Sequence, residues 1–235
     1  MVVLYRFFVR ALFTRGRVLA LGALGTLAVV LGFAVGRSDV AEPTRAGFRL
    51  VSTYGLAGLA PIASLVFASA AFGDLVEDQT LVHVWLRPIS RARIAFAALS
   101  AVLTVTLPLV VLPLTISAAI TGADGGLAIG TAVASALAVM AYSSVFLWLG
   151  LRVSRALVWG LVYILIWEGA VANVGAGLAR FAVRLYTRSF VASFTEGVVE
   201  VKFGVVRAVA LAVPVGLTLV GFALTSRRLA RTDVS

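Results

Sequence analysis

The chain contains no cysteine, a single histidine (His83) and only 10 acidic residues. The absence of cysteine excludes disulfides, thiol catalysis and thiolate metal sites together. One histidine without cysteine also argues against a zinc site, which takes several such ligands at once. We therefore expect neither a metal nor a cofactor bound by the chain itself.

Charged residues are scarce as well, at 13% of 235 residues, whereas 61% are apolar and the mean hydropathy is +1.07. A soluble chain of this length cannot bury so much apolar surface, but a bilayer accepts it. The composition predicts an all-α polytopic membrane protein with one membrane domain over residues 1–235. The net charge of +10 does not indicate nucleic-acid binding, because the arginines flank apolar runs as membrane anchors do.

Six apolar runs are long enough to cross the ~30 Å hydrocarbon core as helices. They span residues 18–36, 50–73, 94–120, 126–151, 156–178 and 205–224. The third run contains Pro108 and Pro113, where we expect a kink. No small-residue cleavage pattern follows the first run, so we expect it to stay in the protein as a span.

The basic residues divide unevenly between the two sides that six spans create. With the N-terminus inside, twelve lie on the cytoplasmic side: Arg6, Arg10, Arg15, Arg17, Arg87, Arg91, Arg93, Arg152, Arg155, Arg227, Arg228 and Arg231. Eight lie on the other side: Arg37, Arg45, Arg49, Arg180, Arg184, Arg188, Lys202 and Arg207. The positive-inside rule then predicts a multi-pass protein of a prokaryotic cytoplasmic membrane with both termini in the cytoplasm.

Residues 1–17 show an apolar face at helical spacing, formed by Leu4, Phe7, Phe8, Ala11 and Leu12, while Arg6, Arg10 and Arg17 lie largely off that face. A basic amphipathic helix of this kind lies in the membrane interface. The alternative is a plain basic flank of the first span. The regular placement of aromatic and aliphatic residues favours the interfacial helix.

The segment 74–93, DLVEDQTLVHVWLRPISRAR, is too densely charged for the hydrocarbon and is predicted to lie outside it. Asp74 and Glu77 have the spacing of a capping box at a helix N-terminus. Leu81, Val84 and Trp85 would then form one apolar ridge, of the kind that a partner's groove accepts. The alternative is an ordinary charged loop.

The basic N-terminal helix, the six spans and this insert together resemble the membrane subunits of ABC-2 type transporters. The most specific part is FGDLVEDQTLVHVWLRPISRARI, in which Glu77-Asp78, Thr80-Leu81 and Arg87-Pro88 with Arg91 occupy the family's acidic, Thr-Leu and Arg-Pro positions. Gln79 stands where many members carry Gly. YILIWEGAVANV in the fifth run is similar to a Trp-Glu signature of short permeases.

This resemblance implies that the insert is a coupling helix docking on a separate cytoplasmic ABC ATPase subunit. The implied ATPase-coupling residues are Glu77, Asp78, Leu81, Val84, Trp85, Arg87 and Arg91. The chain has no P-loop, so ATP would be bound and hydrolysed by the partner, and the chain is not expected to be an enzyme. Six spans are half a transporter, which implies a homodimer or a heterodimer with a similar permease.

Glu168 is the only carboxylate inside a predicted span, and an ionisable group there is a functional hypothesis. It either lines the translocation path or is buried, protonated and hydrogen-bonded to a neighbouring helix. Residues 179–203 alternate apolar side chains with Arg180, Arg184 and Arg188, which predicts short amphipathic helices at the outer interface. The resemblance implies re-entrant half-helices that help close an outer gate, but the basic residues equally suit membrane lipid head groups.

Two other classes of membrane protein, secondary transporters and intramembrane serine proteases, fit the sequence less well. A secondary transporter would show repeats or several polar, broken helices at the midplane, and one Glu with two prolines is a weak sign of these. An intramembrane serine protease would need a base near Ser143 or Ser144. The only histidine lies in the cytoplasmic insert, so that pair cannot meet.

Overall fold

A computed structural model describes residues 2–38, 40–77, 90–123, 125–153, 155–169, 175–195 and 197–231, with backbone only at 74–77 and 176. All regular structure in these ranges is helical, as the composition predicts. The first helices are α1 (Val2–Leu12), α2 (Arg15–Arg37) and α3, which runs from Pro43–Leu50 through π-helical Val51–Leu59 into Ala60–Glu77. They are followed by α4 (Arg91–Ile120), α5 (Gly125–Arg152), α6 (Ala156–Val162 with π-helical Tyr163–Glu168), α7 (Val183–Ala192) and α8 (Arg207–Arg231).

Five of the described helices, α2, α3, α4, α5 and α8, are long and apolar enough to cross a membrane. Their candidate spans contain between 23 and 31 residues each, with α3 counted over Pro43–Gly73, against roughly 20 needed for the hydrocarbon core. The protein is therefore a helical, multi-pass membrane protein. The five corresponding apolar runs predicted from the sequence agree with these helices to within a few residues at most ends.

The fifth predicted run, 156–178, differs from the structure. α6 consists of 7 α-helical and 6 π-helical residues and ends at Glu168. At 1.5 Å per residue it extends about 20 Å, less than the hydrocarbon thickness. One further turn, Ala176–Ala179, precedes α7, and residues 170–174 lie outside the described ranges. The number of membrane crossings, six, stays a prediction.

Small residues bring the helices close together. Gly32 and Gly36 of α2 lie against the backbone of Ser117 and Ile120 in α4, with no room for a Cβ atom. The Ser117 hydroxyl donates a 2.8 Å hydrogen bond to the Ala28 carbonyl of α2. Gly32 and Gly36, at Gly-x-x-x-Gly spacing, therefore allow α2 and α4 to approach closely.

α5 is the central helix, packing against α3, α4, α7 and α8. α8 runs parallel to it, because Arg207 at its start lies near the Gly125 end of α5 and Gly221, further along α8, lies against Ser144 near the Arg152 end. Arg207 stacks on Phe194, with its guanidinium carbon 3.9 Å from the ring centroid, and Phe194 contacts Gly126 and Gly130. The two termini of α5 thus define a Gly125 end and an Arg152 end of the bundle.

Contacts between helix ends place the other elements along this axis. Gly36 lies against Ile120, and Gly47 lies against Leu127, so α2 ends and α3 begins at the Gly125 end. α1 lies towards the Arg152 end, where the Phe8 and Phe72 rings meet edge to face at 5.7 Å. The sequence predicts two groups of basic residues, one on each side of the membrane. Among the described residues, these two groups lie at opposite ends of the bundle.

The predicted coupling segment falls mostly outside the described residues. Glu77 is the last described residue of α3 and Arg91 is the first residue of α4. The other implied coupling residues, Asp78, Leu81, Val84, Trp85 and Arg87, lie outside the described ranges. Both described flanks of the segment are at the Arg152 end. α1, whose buried face consists of Leu4, Phe8 and Leu12, packs against both flanking helices.

Candidate functional site around Glu168

Glu168 is the buried carboxylate of the described chain, with 1% of its side chain exposed. It is the last residue of the π-helical part of α6. The beginning of α7, 15 residues further along the chain, contacts it directly. Glu168, at the end of α6, therefore connects this helix to α7, which begins at Val183.

The carboxylate of Glu168 closes the N-terminus of α7. The backbone N–H of Val183 donates to Oε1 at 3.0 Å, and the backbone N–H of Arg184 donates to Oε2 at 3.3 Å. The first N–H groups of a helix lack partners within the helix. The N-cap residue, Ala182, has no side-chain acceptor to offer them. Glu168 provides one from another element, and its charge suits the positive end of the helix dipole.

Two further hydrogen bonds complete this junction. The Tyr163 hydroxyl donates to Oε1 of Glu168 at 3.2 Å. The guanidinium of Arg184 donates from Nη1 to the backbone carbonyl of Glu168 at 3.3 Å. α6 and α7 are therefore joined through both the side chain and the backbone of Glu168.

The π-helical geometry of α6 explains how Tyr163 reaches Glu168. In an α-helix, residues five apart point in clearly different directions, because each residue turns by 100°. A π-helix pairs residue i with residue i+5, and Tyr163 and Glu168 are the two ends of such a stretch. The π-helical stretch thus brings the phenol to the carboxylate.

An aromatic wall borders the junction on the side of α5. Tyr142 and Phe146 stack with ring centroids 6.0 Å apart, and Phe146 meets Tyr163 edge to face at 6.2 Å. Tyr142 is fully buried and interacts electrostatically with Glu168. Since Tyr142 lies about 18 Å along α5 from Gly130, Glu168 is well inside the bundle.

α7 runs from the interior of the bundle to its Gly125 end. It begins on Glu168 and is followed by Phe194, which lies against Gly126 and Gly130. The Ser189 hydroxyl accepts a 3.2 Å hydrogen bond from the backbone N–H of Val205, just before α8. α7 is therefore attached to α6 at its start and to α5 and the α8 region near its end.

Two cavities lie beside α7. The inner cavity, of about 170 Å³, is lined by Glu168, Ala179, Ala182, Arg184, Leu185, Arg188, Val201, Lys202 and Phe203. The outer cavity, of about 500 Å³, is lined by Arg45, Phe48, Arg49, Arg188, Gly197, Val198, Val199 and Glu200. Arg188 borders both, so a chain of basic side chains leads from the Gly125 end towards Glu168.

The sequence singled out Glu168 and the arginines of 179–203, and the structure brings Glu168, Arg184 and Arg188 to one cavity. Sequence reasoning did not assign Tyr142, Tyr163 or Lys202 to this site. The available signal for Lys202 was its being the only lysine of the chain. The two tyrosines gave no distinctive signal among the other aromatic residues of the spans.

Comparisons with protein-family models and with curated proteins find no match to this chain. Among the described residues, no group of three or more His, Cys, Asp or Glu side chains is placed to hold a metal ion.

Proposed function

We propose that this protein is the membrane permease subunit of an ABC-2 type exporter. In this proposal, a separate cytoplasmic ATPase docks on the segment 74–93, and two permease subunits, identical or similar, form the substrate path. The observation that carries the proposal is the sequence of that segment together with the position of its flanks. Both flanks leave the bundle at the Arg152 end, the side that the N-terminal arginines mark as cytoplasmic.

The packing of α1 supports a coupling role for this end. The Phe8 ring contacts Phe72 of α3, and the Tyr5 hydroxyl donates a 3.0 Å hydrogen bond to the Thr104 hydroxyl of α4. α1 thus contacts the two helices between which the segment is inserted. A force applied to the segment would reach α3 and α4, and through their contacts α5. Close-packed helices transmit such displacements because they deform little.

A proton-coupled secondary transporter is the second candidate function. The interrupted helix α6, which ends on a buried carboxylate well inside the bundle, is the observation in its favour. The two candidates differ in their energy source. Transport that depends on a proton gradient and continues without ATP would favour the secondary transporter.

The decisive experiment tests docking of the ATPase. Affinity-tagged chain is purified from membranes of its own organism, and the preparation is assayed for an ABC ATPase subunit and for ATP hydrolysis. Trp85→Ala, or Glu77→Lys combined with Asp78→Lys, should reduce the retained ATPase about 30-fold or more, since a buried interface anchor contributes roughly 2 kcal/mol or more.

Trp159→Ala is the matched control for this experiment. Trp159 is 58% exposed on α6 and is not one of the implied coupling residues, so its loss should leave retention of the ATPase unchanged. The proposal is wrong if no ABC ATPase accompanies the wild-type chain, or if all the variants retain it equally.

A further inference from the structure

Two arginines of α7 lie in partly buried positions without anionic partners. Arg184 and Arg188 are four residues apart and therefore share one face of the helix. The Nε atoms of both are buried and have no hydrogen-bond partner among the described residues. Within those residues neither forms an ion pair, and the Phe48 ring lies 5.9 Å from the guanidinium carbon of Arg188. Burying a cation in this way is costly unless an anion compensates it.

The lining of the inner cavity is strongly unbalanced in charge. Arg184, Arg188 and Lys202 supply three positive charges, and Glu168 is the one acidic residue in the lining. Both oxygens of Glu168 already accept backbone N–H groups of α7. The three cations therefore keep an excess of positive charge and unused donors that face a space of about 170 Å³.

We propose that the inner cavity is a binding site for a phosphate group, held by Arg184, Arg188 and Lys202. A phosphate monoester carries up to two negative charges and three acceptor oxygens, enough for several cations at once. Arginine offers paired N–H donors that match phosphate oxygens, and lysine adds a point charge. A single carboxylate has one charge and would leave at least one of these cations without compensation.

The space fits the group but not a long apolar tail. About 170 Å³ accommodates several water molecules or one phosphate with its nearest atoms. The outer cavity shares Arg188 with it and has Arg45, Arg49 and Glu200 on its wall, so basic residues outnumber acidic ones there. A phosphate entering from the Gly125 end would therefore meet positive charge along its way, which raises its local concentration.

The phosphate has two possible sources, an anionic phospholipid head group and a soluble phosphate compound. The test uses the purified chain without any ATPase, so its outcome is independent of the proposed export function. One arm measures binding of radiolabelled inorganic phosphate to the chain in detergent. The other arm measures, by native mass spectrometry, how much phosphatidic acid, whose head group is a phosphate monoester, the chain retains from vesicles that also contain phosphate-free diacylglycerol.

Lys202→Gln and Arg188→Gln are the informative variants. Lys202 is exposed, so its replacement leaves the packing intact, and Arg188→Lys keeps the charge where Arg188→Gln removes it. Each loss of charge should weaken phosphate binding about tenfold or more, the usual contribution of a charge-assisted hydrogen bond. Arg180→Gln is the charge-matched control, because Arg180 is exposed and does not line the cavity.

Loss of inorganic phosphate binding in both variants, with Arg180→Gln unchanged, would identify a soluble phosphate compound. Loss confined to phosphatidic acid would identify a lipid head group. The proposal is overturned if the wild-type chain binds neither probe, or if Arg180→Gln weakens binding as much as the two cavity variants do.

Discussion

Glu168 is the residue that organises the interior of this protein. Its carboxylate has three described hydrogen-bond partners, and all of them are donors: two backbone N–H groups of α7 and the Tyr163 hydroxyl. Both oxygens are therefore required as acceptors. The sequence left open whether Glu168 is structural or lines a transport path, and the geometry gives it a structural role at the start of α7. Glu168 also lines the inner cavity, so a role in a transport path stays a second hypothesis for this residue.

Glu168→Gln should destabilise the protein. The amide keeps one oxygen but replaces the other by an NH₂ group, which cannot accept a hydrogen bond from the backbone N–H of Val183 or Arg184. Leaving one buried N–H without a partner costs about 1–3 kcal/mol. At roughly 2–4 °C per kcal/mol for a chain of this size, the melting temperature in detergent should fall by several degrees.

Glu200→Gln is the control for that measurement. Glu200 is exposed and borders the outer cavity, so its amide should unfold at the wild-type temperature. A Glu168→Gln protein as stable as the wild type would show that the carboxylate is not needed to close α7.

At the scale of the helix, hydropathy predicts where long helices run but not where they are interrupted. The apolar run 156–178 gave no sign that α6 ends at Glu168, because apolar residues continue on both sides of it. α3 begins at Pro43, two turns before the predicted run, since Arg45 and Arg49 lower the hydropathy there. Proline at the first position of a helix is a better signal for that start. Hydropathy depends only on which residues are present, so it does not distinguish π-helical stretches from α-helical ones.

The glycines of α2 provide a test of packing on one helix. Gly32→Ala places a Cβ atom 2.6 Å from the carbonyl oxygen and 2.8 Å from the Cα of Ser117. This backbone cannot move without separating α2 from α4, and overpacking of this kind costs about 1–3 kcal/mol. We expect a lower melting temperature in detergent for this variant.

Gly22→Ala is the matched control on the same helix, where a Cβ atom would meet nothing within 4 Å. Alanine is the better helix former by about 1 kcal/mol, so this variant should be as stable as the wild type or more so. Equal stability of the two variants would mean that α2 does not pack closely against α4 in the membrane.

At the scale of the whole molecule, α6 and α7 together connect the two ends of the bundle. α5 ends and α6 begins at the Arg152 end, whereas α8 begins at the Gly125 end, where Arg207 stacks on Phe194. The chain therefore has to return from the Arg152 end to the Gly125 end. The helices on this return are α6, which ends at Glu168, and α7, which begins in contact with it. The class of the protein and its five long helices could be predicted from composition and hydropathy. The two-part return, the path from the Arg152 end back to the Gly125 end divided between α6 and α7, could not, because the two helices meet through hydrogen bonds of Glu168.

The two-part return makes a prediction about topology. If the chain crosses the membrane between Arg152 and Arg207, both termini face the cytoplasm; if it does not, the C-terminus faces outward. The chain lacks cysteine, so single substitutions at exposed positions report their own side. We expect Ser38→Cys and Lys202→Cys to react with a membrane-impermeant maleimide on intact cells.

Thr14→Cys and Arg231→Cys should react with that maleimide only after permeabilisation, because both positions lie at the Arg152 end, which the positive-inside rule predicts to be cytoplasmic. The unsubstituted chain, which has no thiol, sets the background of the assay. Labelling of Arg231→Cys on intact cells while Thr14→Cys stays protected would mean an odd number of crossings, which contradicts the start of α8 at the Gly125 end. Labelling of Lys202→Cys on intact cells would show that the inner cavity, which Lys202 lines, is reached from outside the cell, the side from which a phosphate group would then enter.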